Sequence, residues 1–216
     1  MKSIKKQLKK LLILKRNQKI ISHFGLVGTT LISDGTDEFE NCGFDCCGSN
    51  NIIILNGNVN LTSSYIFING KSNRIIIEKG CYINNATFWI EGDNNTIKIG
   101  QGTSVNKGNN FTCTESKNLI IGKNCMFSTD VYFQVGDGHP IFNNVGERTN
   151  KTEDIIIGDN VWIGKRASIL KGVTIPQGCI IGTCAVVTKK FDTENCIIAG
   201  VPAKIIRNNS FWRKNI

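Results

Sequence analysis

Residues 156–191 read IIGDNVWIGKRASILKGVTIPQGCIIGTCAVVTKKF. An aliphatic residue returns at every sixth position: Ile157, Ile163, Ile169, Ile175, Ile181 and Val187. Glycine follows directly at Gly158, Gly164 and Gly182, and a small or medium residue stands four places after each aliphatic, as at Val161, Ala167, Val173, Cys179 and Ala185. Self-similarity at a fixed short period is the signature of a repeat architecture, in which stacked units bury a core that no single unit could bury alone.

Working back toward the N-terminus, the period lengthens. Leu55, Ile77, Ile99 and Ile121 are 22 residues apart, and six-residue steps recur inside each unit: Leu55-Leu61-Phe67, Ile77-Ile83-Trp89, Ile99-Val105-Phe111 and Ile121-Phe127-Phe133. Twenty-two is three sixes plus four, so the early coils carry a longer corner, placed near Asn73, Asn95 and Asn118. The expected fold is all-β: a parallel β-helix shaped as a triangular prism, three short strands to a coil, with coils ~4.8 Å apart. Every sixth residue is expected to point inward, Phe67 and Trp89 included. Cys81, Cys125 and Cys179 fall at the small inward position, where free cysteine serves as a small hydrophobe. A β-sandwich would alternate with period two and space its loops irregularly.

Composition agrees with a folded chain. Charged residues are 20% and hydrophobic residues 40% of the 216, too apolar for disorder. The 22 glycines against 3 prolines suit many short strands with tight corners. The net charge of +9 is local, because Lys2 to Lys19 holds eight basic residues and no acidic one. With no recognition motif beside it, the charge gives no nucleic-acid reading. Residues 1–24 lack the h-region and cleavage site of a secretory signal, and Leu11 to Leu14 is too short to span a bilayer. The expected location is the cytoplasm, with free thiols. Cys42, Cys46 and Cys47 have no second ligand pair at finger-like spacing, so no metal site is expected.

The chain divides into a basic N-terminal helix or cap (1–24), a β-helix (25–207) and a C-terminal tail (208–216). The first segment carries Ile4, Leu8, Leu11, Leu12 and Ile20 on a basic background. It reads as a cap on the open end of the prism, with peripheral contact to an anionic membrane as the second reading. Residues 24–50 read as an irregular first coil. The tail is expected to pack outside the prism, and its Trp212 belongs to no motif.

The V-W-I-G step at Val161, the G-V-T-I step at Gly172, the V-V-T-K turn at Val186 and the closing G-V-P-A-K-I-I-R from Gly200 together resemble the hexapeptide-repeat acyltransferases. The likeness is to the galactoside and maltose acetyltransferases and to polysaccharide O-acetyltransferases. It covers about the last 95 residues, from Ile121 onward. It implies a left-handed coil, a hand that spacing does not reveal and that runs against the usual crossover. It also implies acetyl-CoA as cosubstrate and a homotrimer with each site between two subunits.

Ile121 to Ile157 is 36 residues, one 22-residue unit plus fourteen. The excess lies within 136–154 and contains Asp137-Gly138-His139-Pro140. The chain has two histidines, the other being His23. The interrupted repeat, the match of Gly-His-Pro to the family's catalytic position, and Trp162 placed 23 residues later point to His139 as general base. An acceptor hydroxyl must lose its proton as it attacks a thioester, and imidazoles titrate in the physiological range. Asp137 is the first candidate to orient the ring, with Asp130 and Glu153 as alternatives. By matching position, Trp162 walls the acetyl-CoA or acceptor site and the backbone near Lys165 faces the developing oxyanion. The same resemblance implies that Thr183 and Thr188 touch the pantetheine arm, that Lys204 and Arg207, with help from Lys189, meet the CoA phosphates, and that Asn110 meets the acceptor. The Lys165-Arg166 pair departs from the small residues common in the family; such bulky cations would alter the CoA entrance or attract an anionic acceptor such as a sialylated or uronic glycan.

The expected activity is O-acetylation of a saccharide hydroxyl in surface polysaccharide or lipid-linked glycan assembly, in the cytoplasm or at the inner membrane face. N-acetylation of an amino sugar and antibiotic acetylation are alternatives within enzymes. A nucleotide-binding N-terminal domain is not legible, since no βαβ phosphate-binding pattern occurs. A zinc enzyme on the same fold would need a histidine cluster. A non-catalytic scaffold would leave the Gly-His-Pro loop without a role.

Overall fold

The computed structural model describes residues 25–214; the basic segment 1–24, with its expected helix, lies outside them. The described chain is an all-strand parallel β-solenoid of about seven coils. The first coil is β1 (Thr29–Ser33), β2 (Glu38–Glu40) and β3 (Gly43–Ser49); the second is β4 (Asn51–Leu55), β5 (Asn60–Thr62) and β6 (Tyr65–Lys71). The third is β7 (Arg74–Ile77), β8 (Tyr82–Asn84) and β9 (Thr87–Glu91); the fourth is β10 (Thr96–Ile99), β11 (Ser104–Val105) and β12 (Asn110–Thr114). Then come β13 (Asn118–Ile121), β14 (Met126–Phe127) and β15 (Tyr132–Gln134), followed by β16 (Ile155–Ile157), β17 (Trp162–Ile163) and β18 (Ser168–Leu170). The last full coil is β19 (Thr174–Ile175), β20 (Ile180–Ile181) and β21 (Val186–Val187), closed by β22 (Ile197–Gly200) and β23 (Ala203–Arg207).

Three sheets form three faces. The first runs from β1 through β4, β7, β10, β13 and β16 to β19, the second from β2 to β20, and the third from β3 to β21. The 22-residue register pairs Ile75 with Ile53 and Ile97, and Leu61 with Ile83. It extends into residues 24–50, where Thr29 pairs with Asn51 and Glu38 with Asn60. The first coil is therefore regular, contrary to expectation. Its residues obey the register without showing the aliphatic rhythm. On the second face β23 reverses and pairs antiparallel with β22, ending the solenoid.

Two edges turn through left-handed residues stacked in columns. Asn58, Gly80, Gly102, Asn124, Asn160, Gly178 and Asn195 line the edge between first and second faces, with φ between 50° and 71°. Asn41, Ser63, Asn85, Gly108, Asp130, Arg166 and Cys184 line the next edge, with φ between 49° and 81°. Asparagine tolerates this region better than other chiral residues, which explains its abundance at the corners. The long third edge holds a buried amide ladder. Asn73 N–H donates to Asn51 Oδ1 at 3.0 Å, Asn95 N–H to Asn73 Oδ1 at 2.9 Å, and Lys117 N–H to Asn95 Oδ1 at 3.0 Å. Lys117 occupies the fourth register position. Asn118 begins β13 and donates instead to Asp154.

The expected inward positions hold for most of the core but fail at Phe67 and Trp89. Ile66, Ile68, Phe88 and Ile90 are buried, while Phe67 and Trp89 lie on the outer face and stack on each other at 4.0 Å and 21°. The early coils turn the second edge in one residue fewer, so Leu61 to Ile66 is five steps. The fourth coil has an extra residue there, and Phe111 stands over Phe88, 23 residues back. A one-residue change exchanges inner and outer faces. Inside, Phe88, Phe111 and Phe133 stack at 4.9 and 5.1 Å. Cys81, Cys125 and Cys179 are buried as expected, and burial pushes the Cys125 thiol up to about 12.

Candidate active site

Between β15 and β16 the chain leaves the coil at the third edge, the one joining third and first faces. The two stems close through Glu153 N–H donating to Val135 O at 3.0 Å. A Cβ on Gly136 would lie 2.4 Å from Thr152 Cγ2, so this approach requires glycine. The excursion then folds on itself. Thr149 N–H donates to Ile141 O at 2.8 Å and Asn143 N–H to Glu147 O at 2.9 Å, leaving Ile141, Phe142 and Val145 exposed at its tip.

Asn150 is the centre of the loop. Its Nδ2 donates to His139 O at 2.7 Å and to Asp137 Oδ2 at 2.9 Å, and its Oδ1 accepts from Ile141 N–H at 2.6 Å. Two ion pairs tie the loop to neighbouring coils. Lys171 Nζ meets Asp137 Oδ2 at 2.5 Å on the coil above, and Arg148 grips both oxygens of Glu115 at 2.7 and 2.8 Å on the coil below. Lys171 and then Asn150 hold the Asp137 carboxyl below the usual carboxylate range, and Arg148 does the same for Glu115.

His139 stands exposed on this braced loop. Asp137 is turned to Lys171 and Asn150, and among the described residues no carboxylate hydrogen-bonds the imidazole. Asp130 faces Arg166 at 4.0 Å on another edge. Glu153 lies by Gly172. Ring orientation by Asp137 is thus not the arrangement observed; the loop positions His139 through its backbone.

One groove reaches this loop, and a second lies at the C-terminal end of the solenoid. The first, of about 330 Å³, is lined by Thr112, Thr114, Glu115, Gln134, Gly136 and Gly138, and leads along the third face to the loop. The other, of about 600 Å³, lies at the C-terminal end between Lys189–Asp192 and Lys204–Ile205, with Thr174 as its floor. Three lysines, Lys189, Lys190 and Lys204, make it cationic. Arg207 lies outside that lining, opposite Ile197 at the far end of β23. Thr188 immediately precedes the groove segment.

The remaining expected residues occupy other edges. Lys165 and Thr183 sit exposed in the turns between second and third faces. Asn110 begins β12, whereas Thr112 and Thr114, farther along the strand, line the 330 Å³ groove. Trp162 begins β17 on the second face; its Nε1 donates to Ser128 Oγ at 3.4 Å and its ring lies 6.2 Å from Trp212. One chain does not bring His139 and Lys165 together, because they stand on different edges of the prism. Among the described residues no three His, Cys, Asp or Glu side chains gather as cation ligands.

The sequence reading missed Asn150, Lys171, Glu115 and Arg148. No local signal joins Glu115 to Arg148, 33 residues apart. Lys190 was readable from its place beside Lys189.

Residues 154–189 match the family described as bacterial transferase hexapeptide (six repeats). A polysialic acid O-acetyltransferase of Neisseria meningitidis is 34% identical over 170 residues, covering 78% of each chain. Another from Escherichia coli O1:K1 is 37% identical over 102 residues, 47% of this chain, and the matched part spans 33% of that relative's length. The crystal structure of the polysialic acid O-acetyltransferase OatWY superposes with a TM-score of 0.84 at 31% identity, covering 88% of this chain and 90% of that one.

Proposed function

This chain belongs to the bacterial hexapeptide transferases, and from that premise we propose that it is an acetyl-CoA-dependent O-acetyltransferase acting on a hydroxyl of an anionic polysaccharide of the polysialic acid kind. The observation that carries the reading is the braced excursion at the third edge, which presents His139 to solvent beside the groove that reaches Gly136 and Gly138, in a chain related to enzymes of that name.

Acetyl-CoA supplies an activated thioester. Lys189, Lys190 and Lys204 suit its phosphates, which need several cations in one place. His139 takes the proton from the acceptor hydroxyl as the new O–C bond forms, and returns it to the sulfur as the C–S bond breaks. Positioned proton transfer of this kind contributes roughly 10²–10⁴-fold. Backbone N–H groups near Lys165 face the negative charge that develops on the carbonyl oxygen. Lys165 is on a different edge from His139, so the reading includes a second copy of the chain that supplies it, in a homotrimer of left-handed coils. The exposed Ile141, Phe142 and Val145 give the loop an apolar surface for that neighbour. The acyl donor sets the reaction in the cytoplasm, where a lipid-linked acceptor would bring it to the inner membrane face.

The test is thiol release from acetyl-CoA by the full chain, with polysialic acid and with neutral glycans as acceptors. Turnover on the anionic polymer and a loss of at least about 10²-fold in His139→Ala are expected. Unchanged turnover in that variant removes His139 as the base. Turnover on neutral glycans alone removes the anionic acceptor.

A further inference from the structure

After Arg207 the chain turns back and descends the edge between first and second faces, along the column of left-handed corner residues. Ser210 N–H donates to Asn195 O at 2.7 Å, Trp212 Nε1 to Asn160 O at 2.6 Å, and Lys214 Nζ to Gly102 O at 3.4 Å. The solenoid does not need this strap for its core, which is already closed beneath it. The strap instead creates a groove of about 190 Å³, lined by Asn160, Gln177, Gly178, Asn195, Phe211 and Trp212.

The chemistry of that groove is mixed in a particular way. Phe211 is 74% exposed, an unusual setting for a large aromatic ring. Trp212 is half-buried beside it, with its indole N–H already committed to Asn160 O. Three carboxamide side chains complete the floor and rim. Arg213 lies over the Phe211 ring at 5.6 Å, so a cation covers one face of the ring and the other face remains for a ligand. A sugar ring has an apolar C–H face, a rim of hydroxyls that pair with amides and, when it is acidic, a carboxylate. Aromatic ring, amides and guanidinium match those three parts in turn. Trp212 lies 6.2 Å from Trp162, so the groove borders the second face.

We infer that the tail segment Ser210–Arg213 forms a secondary subsite for one acidic sugar unit of the polymeric acceptor, with Phe211 stacking on the ring and Arg213 pairing with its carboxylate. The inference rests on the acceptor class proposed above and adds to it a place where the polymer is held away from the reacting hydroxyl. About one sugar unit fits the groove, so the subsite contributes affinity for a chain rather than selecting its terminus.

Equilibrium binding of polysialic acid to the full-length protein is compared for wild type, Phe211→Ala and Arg213→Ala, with dextran as a neutral polymer and sedimentation for assembly mass. Each variant is expected to weaken polysialic acid binding about fivefold to tenfold, the scale of one lost contact, at unchanged mass. Wild-type affinity in both variants overturns the subsite while leaving the acetyltransferase reading intact. A change of mass in Phe211→Ala also overturns it, by assigning the ring to a contact between copies. Equal binding of dextran removes the acidic sugar. Absence of both binding and turnover of polysialic acid by wild type defeats the acceptor reading itself and this inference with it.

Discussion

Asn150 holds His139 by the backbone: its amide donates to the His139 carbonyl oxygen at 2.7 Å while also reaching Asp137 Oδ2 at 2.9 Å. Among the described residues the imidazole ring has no hydrogen bond of its own, so precision at the proposed reacting centre depends on an amide eleven residues away.

Asn150→Ala removes the bonds to His139, Asp137 and Ile141 together. A displacement of about 1 Å at a reacting group costs on the order of 10²-fold, so kcat should fall about tenfold to a hundredfold with a smaller change in KM. Hydrogen exchange of the solenoid strands should stay as in wild type. Steady-state kinetics beside exchange at β13 and β16 checks both parts.

The two ion pairs of the loop predict its response to acid. Asp137 and Glu115 have lowered folded pKa values, caused first by Lys171 and Arg148 respectively. Their contribution is therefore complete above the ordinary carboxylate range near ~4 and is lost as pH falls through the lowered values. Both pairs are partly exposed, so the effect is local rather than global. Amide exchange over 137–150, corrected for intrinsic rate, should be constant from about pH 5 to 8 and should rise below about pH 4.

Phe88 and Phe67 separate inside from outside. Phe88→Ala empties a fully buried position and should cost about 3–5 kcal/mol. Phe67→Ala loses mainly its outer stacking on Trp89, about 0.5–1.5 kcal/mol beyond the area involved. Denaturant midpoints of the two variants should differ accordingly, and equal midpoints would return Phe67 to the core.

The amide ladder gives a second stability contrast. In Asn73→Ala, the buried Asn95 N–H loses its partner at roughly 1–3 kcal/mol, and the part-exposed Gly92 O loses its amide donor at a smaller cost because water can replace it. Asn118→Ala removes only one exposed side-chain contact to Asp154 and should be near neutral. Thermal unfolding of both variants decides whether the ladder runs through Asn73 as described.

Cysteine reactivity should split two against seven. Cys47 and Cys184 are exposed, while the other seven thiols are buried. Burial raises Cys46 and Cys81 to about 11, and Cys113 to about 12. The thiolate is the reactive form, so a thiol reagent at neutral pH should modify two cysteines in the native chain and nine only after unfolding.

The period of the aliphatic residues was enough to establish a solenoid. An inward position repeated at fixed spacing leaves no other way to bury Ile157 to Val187 together, and the spacing from Ile121 to Ile157 located the excursion. The local sequence did not reveal the single-residue difference at the second edge, since five-step and six-step turns look alike until strands pair. Phe67 and Trp89 were misplaced for that reason. The corner position expected at Asn118 belongs to Lys117, 22 residues after Asn95. The first coil was hidden because its register is kept by pairing rather than by aliphatic residues.

His139 was legible because an interruption of a regular repeat is itself a signal. Its supports were not, because Glu115, Arg148 and Lys171 meet across coils at separations with no local signature. The tail was equally silent: Trp212 gains meaning only by lying against Trp162, 50 residues back. Periodicity is a property of the chain and can be read along it. Contacts between successive coils, between edges, and between the tail and the corner column arise only when stacking brings distant residues within a few ångströms, so the tertiary structure alone decided them.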